Sequence, residues 1–462
     1  MKQLQTHFFF LIMIVTMSCQ SADKKVKTDA ESKPVRLVTL DPGHFHAALV
    51  QKTMYDDVDS VVYVYAPSGN DLDLHLVRIN GYNSRAESPT YWKEEVYTGP
   101  DFFDQMIARK KGNVIVLSGN NEKKTEYILN SLKNGLNVLA DKPMVIDNKG
   151  FQQLKEAFEI AKEKNLLLYD IMTERFEINT ILQKEISMIP EIFGELEKGT
   201  ADNPAISKES IHHFYKYVSG SVLTRPAWFM DVSQQGEGIV DVMTHLVDLV
   251  QWECFPEQVI DYTKDIRIDA AKRWATDMRL SEFKAITKLD SFPSYLNKYV
   301  TNDSILQVYC NGEINYTIRG VHAKTSVIWN YKAPEGTGDT HYSIMRGTKA
   351  NLVIRQGKEE DYKPALYIEC IKNDSVFQAI VEQNFKRISA KFPGLELSKT
   401  AKGWRVQLSQ NLVEGHEEHF ARVTNHFLEY LKNGNMPAWE VPNMLAKYYT
   451  TTKALEIALK KK

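Results

Sequence analysis

Cysteine is scarce in this chain, with four residues among 462. The three beyond Cys19 stand far apart along the sequence, at Cys254, Cys310 and Cys370. An odd and scattered set provides neither the framework of a disulfide-rich domain nor the paired spacing of a zinc site. We therefore expect these three side chains to be small buried hydrophobic groups.

Neither sign of charge is in excess, since 57 Lys and Arg residues accompany 59 Asp and Glu residues and the formal net charge is -2. This balance excludes the basic footprint of a nucleic-acid-binding protein and favours small neutral or mixed-charge partners. A chain of 462 residues is longer than one hydrophobic core usually serves, so we expect two domains.

The apolar run at the N-terminus, FFFLIMIV, has only eight residues, which are too few to span a bilayer. With Lys2 before it and TMSC after it, the run has the order of a signal peptide. Cys19 follows a small residue, as at a lipoprotein cleavage site, although Thr16 stands where leucine is usual. We predict a lipoprotein-type signal peptide at residues 1–19, lipidation of Cys19, a polar tether at residues 20–34 and a periplasmic or cell-envelope location. An uncleaved anchor or a plain secretory signal is the alternative.

Short β-rich runs alternate with helical patterns from Val35 onward. The runs are VRLVTL, VDSVVYVYA, NVIVLSG, LNVLA and NLLLYDIM, and amphipathic stretches such as EKKTEYILNSLKNG lie between most of them. Strands that alternate with helices predict a parallel sheet, hence a doubly wound α/β domain over residues 35–172. The polar stretch at residues 67–95 interrupts the alternation and is expected to be a long loop over one sheet edge.

The alternation of strand and helix patterns ends near residue 173. A helix is expected around residues 176–188 and another in GIVDVMTHLVDLVQW, followed by period-2 strands such as ILQVYC, EINYTIRGV, KTSVIWNY and ANLVIRQG and by two closing helices. Mostly antiparallel strands with helices on one side predict an α+β domain over residues 173–462.

The turn after the first strand, in TLDPGHFHAALV, stands where a dinucleotide-binding fold has the fingerprint G-x-G-x-x-G. Only Gly43 keeps its place, with Asp41 and His46 in the outer positions. The middle glycine lets backbone approach a pyrophosphate, but the carboxylate of Asp41 disfavours phosphates unless His44 or His46 offsets it. Later strands also end in small polar turns, APSG, SGNN and ADKP, and four such turns at one sheet edge favour a nucleotide crevice.

The same turn leaves a metal interpretation open. Asp41, His44 and His46 resemble the start of an amidohydrolase metal centre, because imidazoles two residues apart can share a divalent ion. Such enzymes need a (β/α)8 barrel with further ligands on later strands, which the predicted strand order does not supply. We therefore predict no metal site, and we expect His416 and His419 in GHEEHF to be a solvated helix start.

Two segments carry candidate acid/base residues. Lys142 in ADKPM precedes Pro143, which keeps it out of helical geometry at the rim of the crevice, where a lysine can assist the deprotonation of a hydroxyl. In QQGEGIVDVMTHLVDLVQW, spacings of four and three place Asp241, His245 and Asp248 on one helix face. His245 is then a candidate acid/base that Asp241 orients. The plainer alternatives are a surface lysine and a hydrogen-bonded core histidine with capping carboxylates.

Together these residues resemble the Gfo/Idh/MocA family of sugar and polyol oxidoreductases, from about Val35 to the end of the chain. VIVLSGNNEKKTEYILNSLKNGLNVLADKP is similar to the family's strand, polar loop, helix and strand ending in E-K-P, with Asp141 in place of glutamate. RPAWFMDVSQQGEGIVDVMTHLVDLVQW is similar to its G-G-G-x-x-x-D-x-x-x-H segment, with Glu237 in place of the central glycine. The resemblance implies an N-terminal Rossmann domain and a C-terminal α/β domain with a large open sheet.

The resemblance also implies site residues. Lys142 and His245 would form the catalytic pair beside the nicotinamide, with Asp241 as an orienting or substrate-binding residue. NAD or NADP would be held tightly by Gly43, His44, Phe45, His46, Ser118, Asn120, Asp141 and Lys142. The substrate would contact Arg175, Trp228, Asp241 and His245. Because the second strand ends in Ala66 and Pro67 and not in an acidic residue for the ribose, we expect an altered mode of cofactor binding.

We therefore expect a nicotinamide-dependent oxidoreductase acting on a hydroxyl of a sugar, glycoside or polyol. Export into a compartment without an obvious pool of cofactor raises an alternative, a redox-neutral glycosidase whose tightly bound NAD is reduced and reoxidised in one turnover. A carbohydrate-binding lipoprotein on a disabled enzyme fold is a third hypothesis, favoured by the lost glycines and opposed by Lys142, Asp241 and His245. By analogy with the family, a homodimer or higher homo-oligomer is expected.

Overall fold

The structure, a computed structural model, describes residues 34–218, 221–302, 304–372 and 374–460. The predicted signal peptide, the lipidation site Cys19 and residues 20–33 of the predicted tether lie outside the described residues.

A six-stranded parallel sheet forms the N-terminal part of the fold, in the order β3-β2-β1-β4-β5-β6. Its strands are β1 Leu37–Leu40, β2 Val61–Ala66, β3 Lys93–Thr98, β4 Val114–Leu117, β5 Asn137–Asp141 and β6 Leu168–Ile171. The central strands are apolar and buried on both faces, as parallel strands between helical layers should be. The order confirms the doubly wound sheet and places its switch point between β1 and β4, where ligands bind in such folds.

The helices of this part are α1 His46–Leu49, α2 Asn70–Ser84, α3 Phe102–Arg109, α4 Lys124–Lys133 and α5 Asn148–Glu163. The expectation of a long loop at residues 67–95 was wrong, because α2 and the start of β3 lie there. α2 buries only Leu72, His75 and Ile79 among polar neighbours, so its apolar stripe is sparse. β3 is an edge strand with largely solvent-facing side chains and therefore has no apolar run to recognise.

A ten-stranded sheet forms the second part, in the order β10-β12-β13-β7-β14-β15-β16-β18-β17, with β11 paired to β12. Among the described strand pairs of this second sheet, only β7 with β13 is parallel. This confirms the prediction of a large, mostly antiparallel sheet. Its strands are β7 Ile206–Tyr215, β10 Ile266–Arg279, β11 Val300–Thr301, β12 Ile305–Ile318, β13 Val321–Lys332, β14 Thr340–Arg346, β15 Ala350–Gln356, β16 Ala365–Cys370, β17 Leu395–Thr400 and β18 Gly403–Leu408. A separate hairpin pairs β8 Tyr217–Val218 with β9 Ser221–Val222.

The remaining helices are α6 Ile178–Ser187, α7 Val232–Gln235, α8 Met243–Cys254, α9 Leu280–Thr287, α10 Ser375–Lys391, α11 His416–Asn433 and α12 Glu440–Lys460. The two C-terminal helices return to the first sheet. α11 packs Phe420 and Phe427 into its core, and α12 contributes Tyr448 to that core and Ala454 to the core of the second sheet. This return brings the start of α11 to the turn after β1. Of the cysteines, Cys310 is buried as expected, whereas Cys254 and Cys370 are half-buried.

Candidate active site at the carboxyl ends of the first sheet

The turn after β1 is held against the turn after β4 by its own backbone. The amides of Gly43 and His44 both donate to the carbonyl of Ser118, at 3.2 and 3.3 Å. A Cβ at Gly119 would lie 2.3 Å from the carbonyl oxygen of Asp41, so glycine is required for this close approach. In a dinucleotide-binding turn, backbone amides point at the pyrophosphate. Here the amides of Gly43 and His44 instead donate to a carbonyl of the protein itself.

Side chains also cover the face of Gly43 that a pyrophosphate would approach. A Cβ at Gly43 would lie 3.0 Å from the indole of Trp228 and 3.2 Å from the carboxylate of Asp71. These two side chains are joined by a hydrogen bond from Trp228 Nε1 to Asp71 Oδ2 at 2.8 Å. The space that the middle glycine should leave open is therefore filled by an indole and a carboxylate.

The turn does not fit the usual mode of dinucleotide binding. α1 has a single turn, from His46 to Leu49, so no long helix points its positive end at a phosphate. The cavity at the ends of β1 and β2 has a volume of about 260 Å³ and is lined by the carboxylates Asp41 and Asp71 as well as by Pro67. Two carboxylates repel phosphates, which agrees with the altered mode expected from the sequence.

The histidines of the turn gather around Asp141 at the end of β5. His46 Nδ1 lies 2.9 Å and His44 Nδ1 lies 3.9 Å from Asp141 Oδ2. Ser118 Oγ donates to the same oxygen at 2.9 Å. Phe45 packs against both imidazoles, with ring centroids 4.6 and 4.5 Å away, and the imidazoles themselves lie 4.0 Å apart. The sequence-predicted residues Phe45, His44, His46, Ser118 and Asp141 therefore form one cluster.

α11 adds a histidine to this cluster. His416 Nε2 lies 3.3 Å from His46 Nε2, and His416 Nδ1 lies 3.9 Å from Glu174 Oε1. The interpretation as a solvated helix start holds for His416, which is exposed at the first residue of α11, and was wrong for His419, which is buried. No local pattern signals these contacts, since 370 residues separate His416 from its partner His46.

Lys142 and Asp241 meet across the two parts of the fold. Lys142 Nζ donates to Asp241 Oδ1 at 2.6 Å, and Gln235 Nε2 donates to Asp241 Oδ2 at 2.9 Å. Burial alone would lower the pKa of Lys142, but the carboxylates of Asp241 and Asp141 raise it above its usual value. The lysine is therefore a charged donor and is held in place by a carboxylate that is itself fixed.

His245 lies on α8 and has a buried Nδ1 without a hydrogen-bond partner among the described residues. Burial and then the ammonium group of Lys142 lower the pKa of His245 well below its usual range. The imidazole is therefore neutral at physiological pH and can accept a proton or a hydrogen bond. A buried polar atom without a partner is uncommon and calls for a ligand or a water molecule.

The turn after β4 is bound to the end of α7, just before the turn that leads into α8. Asn120 Nδ2 donates to Gln234 Oε1 at 2.7 Å, and Asn121 Nδ2 donates to the carbonyl of Gln235 at 2.7 Å. Glu237, which replaces the central glycine of the family segment, accepts from Arg273 Nε at 2.6 Å. These contacts tie the segment that carries Asp241 to the first sheet through Asn120 and Asn121 and to the second sheet through Arg273.

Arg175 and Asp248 lie in a different cluster. Arg175 donates to both oxygens of Asp248 at 2.7 Å and to both oxygens of Glu440 at 3.1 Å. Lys447 donates to Asp248 at 2.9 Å and lies 2.6 Å from Asp170. Because Asp241 lies in the turn before α8 and Asp248 within it, the expected single helical face is divided between two clusters. The guanidinium of Arg175 has its donors committed, and its substrate-binding role stays a prediction.

A larger cavity opens on the second sheet, with a volume of about 630 Å³. Its lining includes Tyr215, Lys216, Tyr217, Asp339 and Tyr362. Burial lowers the pKa of His212 on β7. The carboxylate of Asp339 opposes this shift, whereas the ammonium groups of Lys216 and Lys142 add to it. Sequence reasoning missed these residues because they come from strands and a loop with no distinctive motif.

Comparisons with known proteins agree with the fold. The family described as "Oxidoreductase family, NAD-binding Rossmann fold" matches residues 60–170, and "Putative oxidoreductase C terminal domain" matches residues 182–459. The first match begins after β1 and its unusual turn. No curated protein matches the chain.

Solved structures extend the comparison. A "putative oxidoreductase from Parabacteroides merdae ATCC 43184" is 57% identical over 93% of this chain and 98% of that chain, with a TM-score of 0.91. A "putative myo-inositol dehydrogenase from Sinorhizobium meliloti 1021" is 13% identical over 93% of this chain and 98% of that one, with a TM-score of 0.52. Levoglucosan dehydrogenase in complex with NADH and levoglucosan is 11% identical over 92% and 97%, with a TM-score of 0.58. The last two show the fold alone.

The resemblance inferred from the sequence is thus confirmed by both family matches and by a relative of high identity. The chain belongs to the Gfo/Idh/MocA family of oxidoreductases and has that family's NAD-binding Rossmann fold.

Proposed function

We propose that this protein is a nicotinamide-dependent oxidoreductase that acts on a hydroxyl-bearing carbon of a sugar, glycoside or polyol. The observation that carries the proposal is the Lys142–Asp241 pair at 2.6 Å beside His245, whose Nδ1 is buried and unpartnered among the described residues. The names of two structural neighbours, a myo-inositol dehydrogenase and levoglucosan dehydrogenase, favour the same substrate class.

The charges of the site assign its roles. Oxidation of an alcohol requires loss of the hydroxyl proton, which a neutral imidazole can accept, so His245 is the base. Lys142, held as an ammonium, donates to the same oxygen and stabilises the alkoxide as it forms. Asp241 is a positioning residue, because it holds Lys142 by one oxygen and accepts from Gln235 with the other.

The cavity on the second sheet supports a carbohydrate as the substrate. Its volume of about 630 Å³ falls within the ~300–1,000 Å³ of small-molecule sites. Tyr215, Tyr217 and Tyr362 offer aromatic faces for the apolar side of a sugar ring, and Lys216 and Asp339 offer charged groups for its hydroxyls. We also keep Trp228 as a substrate or cofactor contact, since it lies over the turn after β1.

The cofactor we propose is NAD or NADP, tightly held, in a mode that differs at the pyrophosphate from the glycine-rich turn. The family's Rossmann fold supports this proposal, whereas the committed amides of Gly43 and His44 oppose the usual mode. The absorbance and mass spectrum of any ligand released from denatured protein test it directly. If neither retained nor added dinucleotide binds to the purified protein, the cofactor proposal is wrong.

The roles of Lys142 and His245 are tested by Lys142→Ala and His245→Ala, assayed on a panel of sugars, glycosides and polyols. Each substitution should lower turnover by ~10²- to 10⁴-fold, and the double variant should cost much less than the product of the singles because both act on one hydroxyl group. Lys264→Ala and His322→Ala are matched controls away from the site and should keep full activity.

The products of the same assay distinguish the two enzymatic hypotheses. An oxidised product with a reduced nicotinamide supports a net oxidoreductase. Hydrolysis of a glycoside without net reduction of the cofactor would favour the redox-neutral glycosidase instead. Full activity of either single variant would remove that residue from the mechanism.

We also propose that the protein is exported and anchored through a lipid on Cys19. No helix among the described residues is long and apolar enough to cross a membrane. Metabolic labelling with a fatty acid should mark the wild type and not Cys19→Ser. An unlabelled wild-type protein would overturn this proposal and leave the enzymatic one intact. Pairing of two copies through the second sheet is a further proposal, tested by light scattering of the purified protein.

A further inference from the structure

We propose that His44, His46 and Asp141 bind a divalent transition-metal ion. Their candidate ligand atoms all lie within 4.8 Å of one another. The two histidines come from the turn after β1 and the start of α1, and the carboxylate comes from the end of β5. The third ligand is therefore not Asp41, whose carboxylate instead accepts from Tyr127 at 3.3 Å.

The distances suit a single ion. Zinc binds imidazole nitrogen and carboxylate oxygen at about 2.0–2.2 Å, so the ligand atoms of a tetrahedral site lie roughly 3.4 Å apart. The observed separations from Asp141 Oδ2 are 2.9 Å to His46 Nδ1 and 3.9 Å to His44 Nδ1. These two values bracket the required separation, and all the candidate ligand atoms lie within 4.8 Å of one another.

Neighbouring side chains are placed to orient the ligands. A metal-bound histidine usually donates its other N–H to a fixed acceptor, and bound carboxylates are hydrogen-bonded in turn. His416 Nε2 lies 3.3 Å from His46 Nε2 and can accept its proton, which leaves Nδ1 of His46 free for the ion. Ser118 Oγ donates to Asp141 at 2.9 Å.

The chemistry of the donors selects the ion. Imidazoles suit zinc, iron, nickel and copper, whereas magnesium and calcium prefer oxygen ligands alone. Two imidazoles and one carboxylate leave at least one coordination position for water or a substrate oxygen, as at catalytic zinc sites and in the two-histidine, one-carboxylate sites of ferrous enzymes. Asp141 directly precedes Lys142, so the ion would lie at the same end of β5 as the acid/base pair. This last point rests on the proposed function, whereas binding of the ion does not.

The test uses the full chain, freed of any histidine tag and stripped with a chelator, then titrated with Zn²⁺ and Co²⁺. We expect about one ion per chain by elemental analysis, and visible d–d absorption bands with Co²⁺. His44→Ala, His46→Ala and Asp141→Asn should each weaken binding by more than ~100-fold, because loss of an orienting neighbour alone costs ~10- to 100-fold. Ser118→Ala and His416→Ala should fall in that smaller range.

His322→Ala is the matched control, since His322 also lies beside a carboxylate, 4.0 Å from Asp269, on the second sheet. It should bind the ion as the wild type does. Zn²⁺ should raise the melting temperature of the wild type and the control. His46→Ala and His46→Gln should each keep a cooperative melting transition that Zn²⁺ does not shift, which shows that the lost binding is not lost folding.

Three outcomes would overturn the inference: wild-type protein that binds no stoichiometric ion, His44 and His46 variants that bind as the wild type does, or equal loss in the control. Failure of the proposed function is distinguishable, because Lys142→Ala should lose activity and keep the ion. A metal-loaded wild type without activity on any carbohydrate would leave the metal site standing and remove the function.

Discussion

Trp228 lies over the turn after β1, and from this contact we predict how strongly the protein binds a nucleotide. Trp228→Phe keeps a smaller aromatic ring at this position and removes the donor to Asp71, a bond of 2.8 Å. A hydrogen bond to a charged group contributes ~1.5–3 kcal/mol. Because Trp228 is half-buried, we take the lower end, about 1.5 kcal/mol, which corresponds to roughly a factor of ten in an equilibrium constant.

If the indole must move before a pyrophosphate reaches Gly43, only molecules in the open conformation bind NAD. The apparent affinity for NAD is then the intrinsic affinity multiplied by the fraction of molecules that are open. Trp228→Phe should then bind NAD roughly tenfold more tightly than the wild type. Asp71→Asn should tighten binding further, because it weakens the same bond and also removes a carboxylate that repels phosphate.

Isothermal titration calorimetry with NAD, on protein stripped of bound nucleotide, measures both effects without relying on tryptophan fluorescence. Trp274→Phe is the matched control, since Trp274 lies on β10 with 37% of its surface exposed, and it should leave the affinity unchanged. An affinity of Trp228→Phe equal to or weaker than that of the wild type would refute the gating role of Trp228.

Two further predictions concern stability. Burial raises the pKa of Glu94 from 4.5 to about 7. The protonated carboxyl therefore contributes to the free energy of unfolding below pH ~4.5, and this contribution, at most about 3 kcal/mol, is lost as pH rises through ~7. Glu94→Gln should therefore melt progressively higher than the wild type between pH 4.5 and 8, and a pH-independent difference would contradict this. Lys208 and Glu253 form a fully buried ion pair at 2.8 Å. Lys208→Met should cost about 3–5 kcal/mol in urea unfolding, and Lys208→Met/Glu253→Leu less than that single variant, because no unpaired charge remains. Additive costs would contradict the pairing.

Local patterns along the chain were sufficient for five of the six strands of the first sheet. β1, β2, β4, β5 and β6 are apolar runs between helical patterns, and such periodicity depends on nearest neighbours in the sequence. α2 and β3 were missed because an exposed helix and an edge strand bury few side chains. Their polar residues then look the same as those of a loop.

The sequence and the structure group the residues of the candidate site differently. Spacing alone placed Asp241, His245 and Asp248 on one face, but the chain before α8 is a turn, so Asp241 meets Lys142 while Asp248 meets Arg175 and Lys447. The same limit applied to the metal interpretation. It was set aside because no barrel could supply further ligands, but the fold places Asp141 at the end of β5, two strands from β1, beside His44 and His46.

The sequence by itself determined which residue types were present at the carboxyl ends of the strands, because turn chemistry and strand periodicity are local properties. Only the tertiary structure decided which of them meet. His416 reaches His46 across 370 residues because the apolar side chains of α11 pack into the first core. Trp228 reaches Asp71 across 157 residues, over a glycine whose missing side chain leaves room for the indole. Such contacts follow from burial summed over the whole fold, which no short stretch of sequence contains.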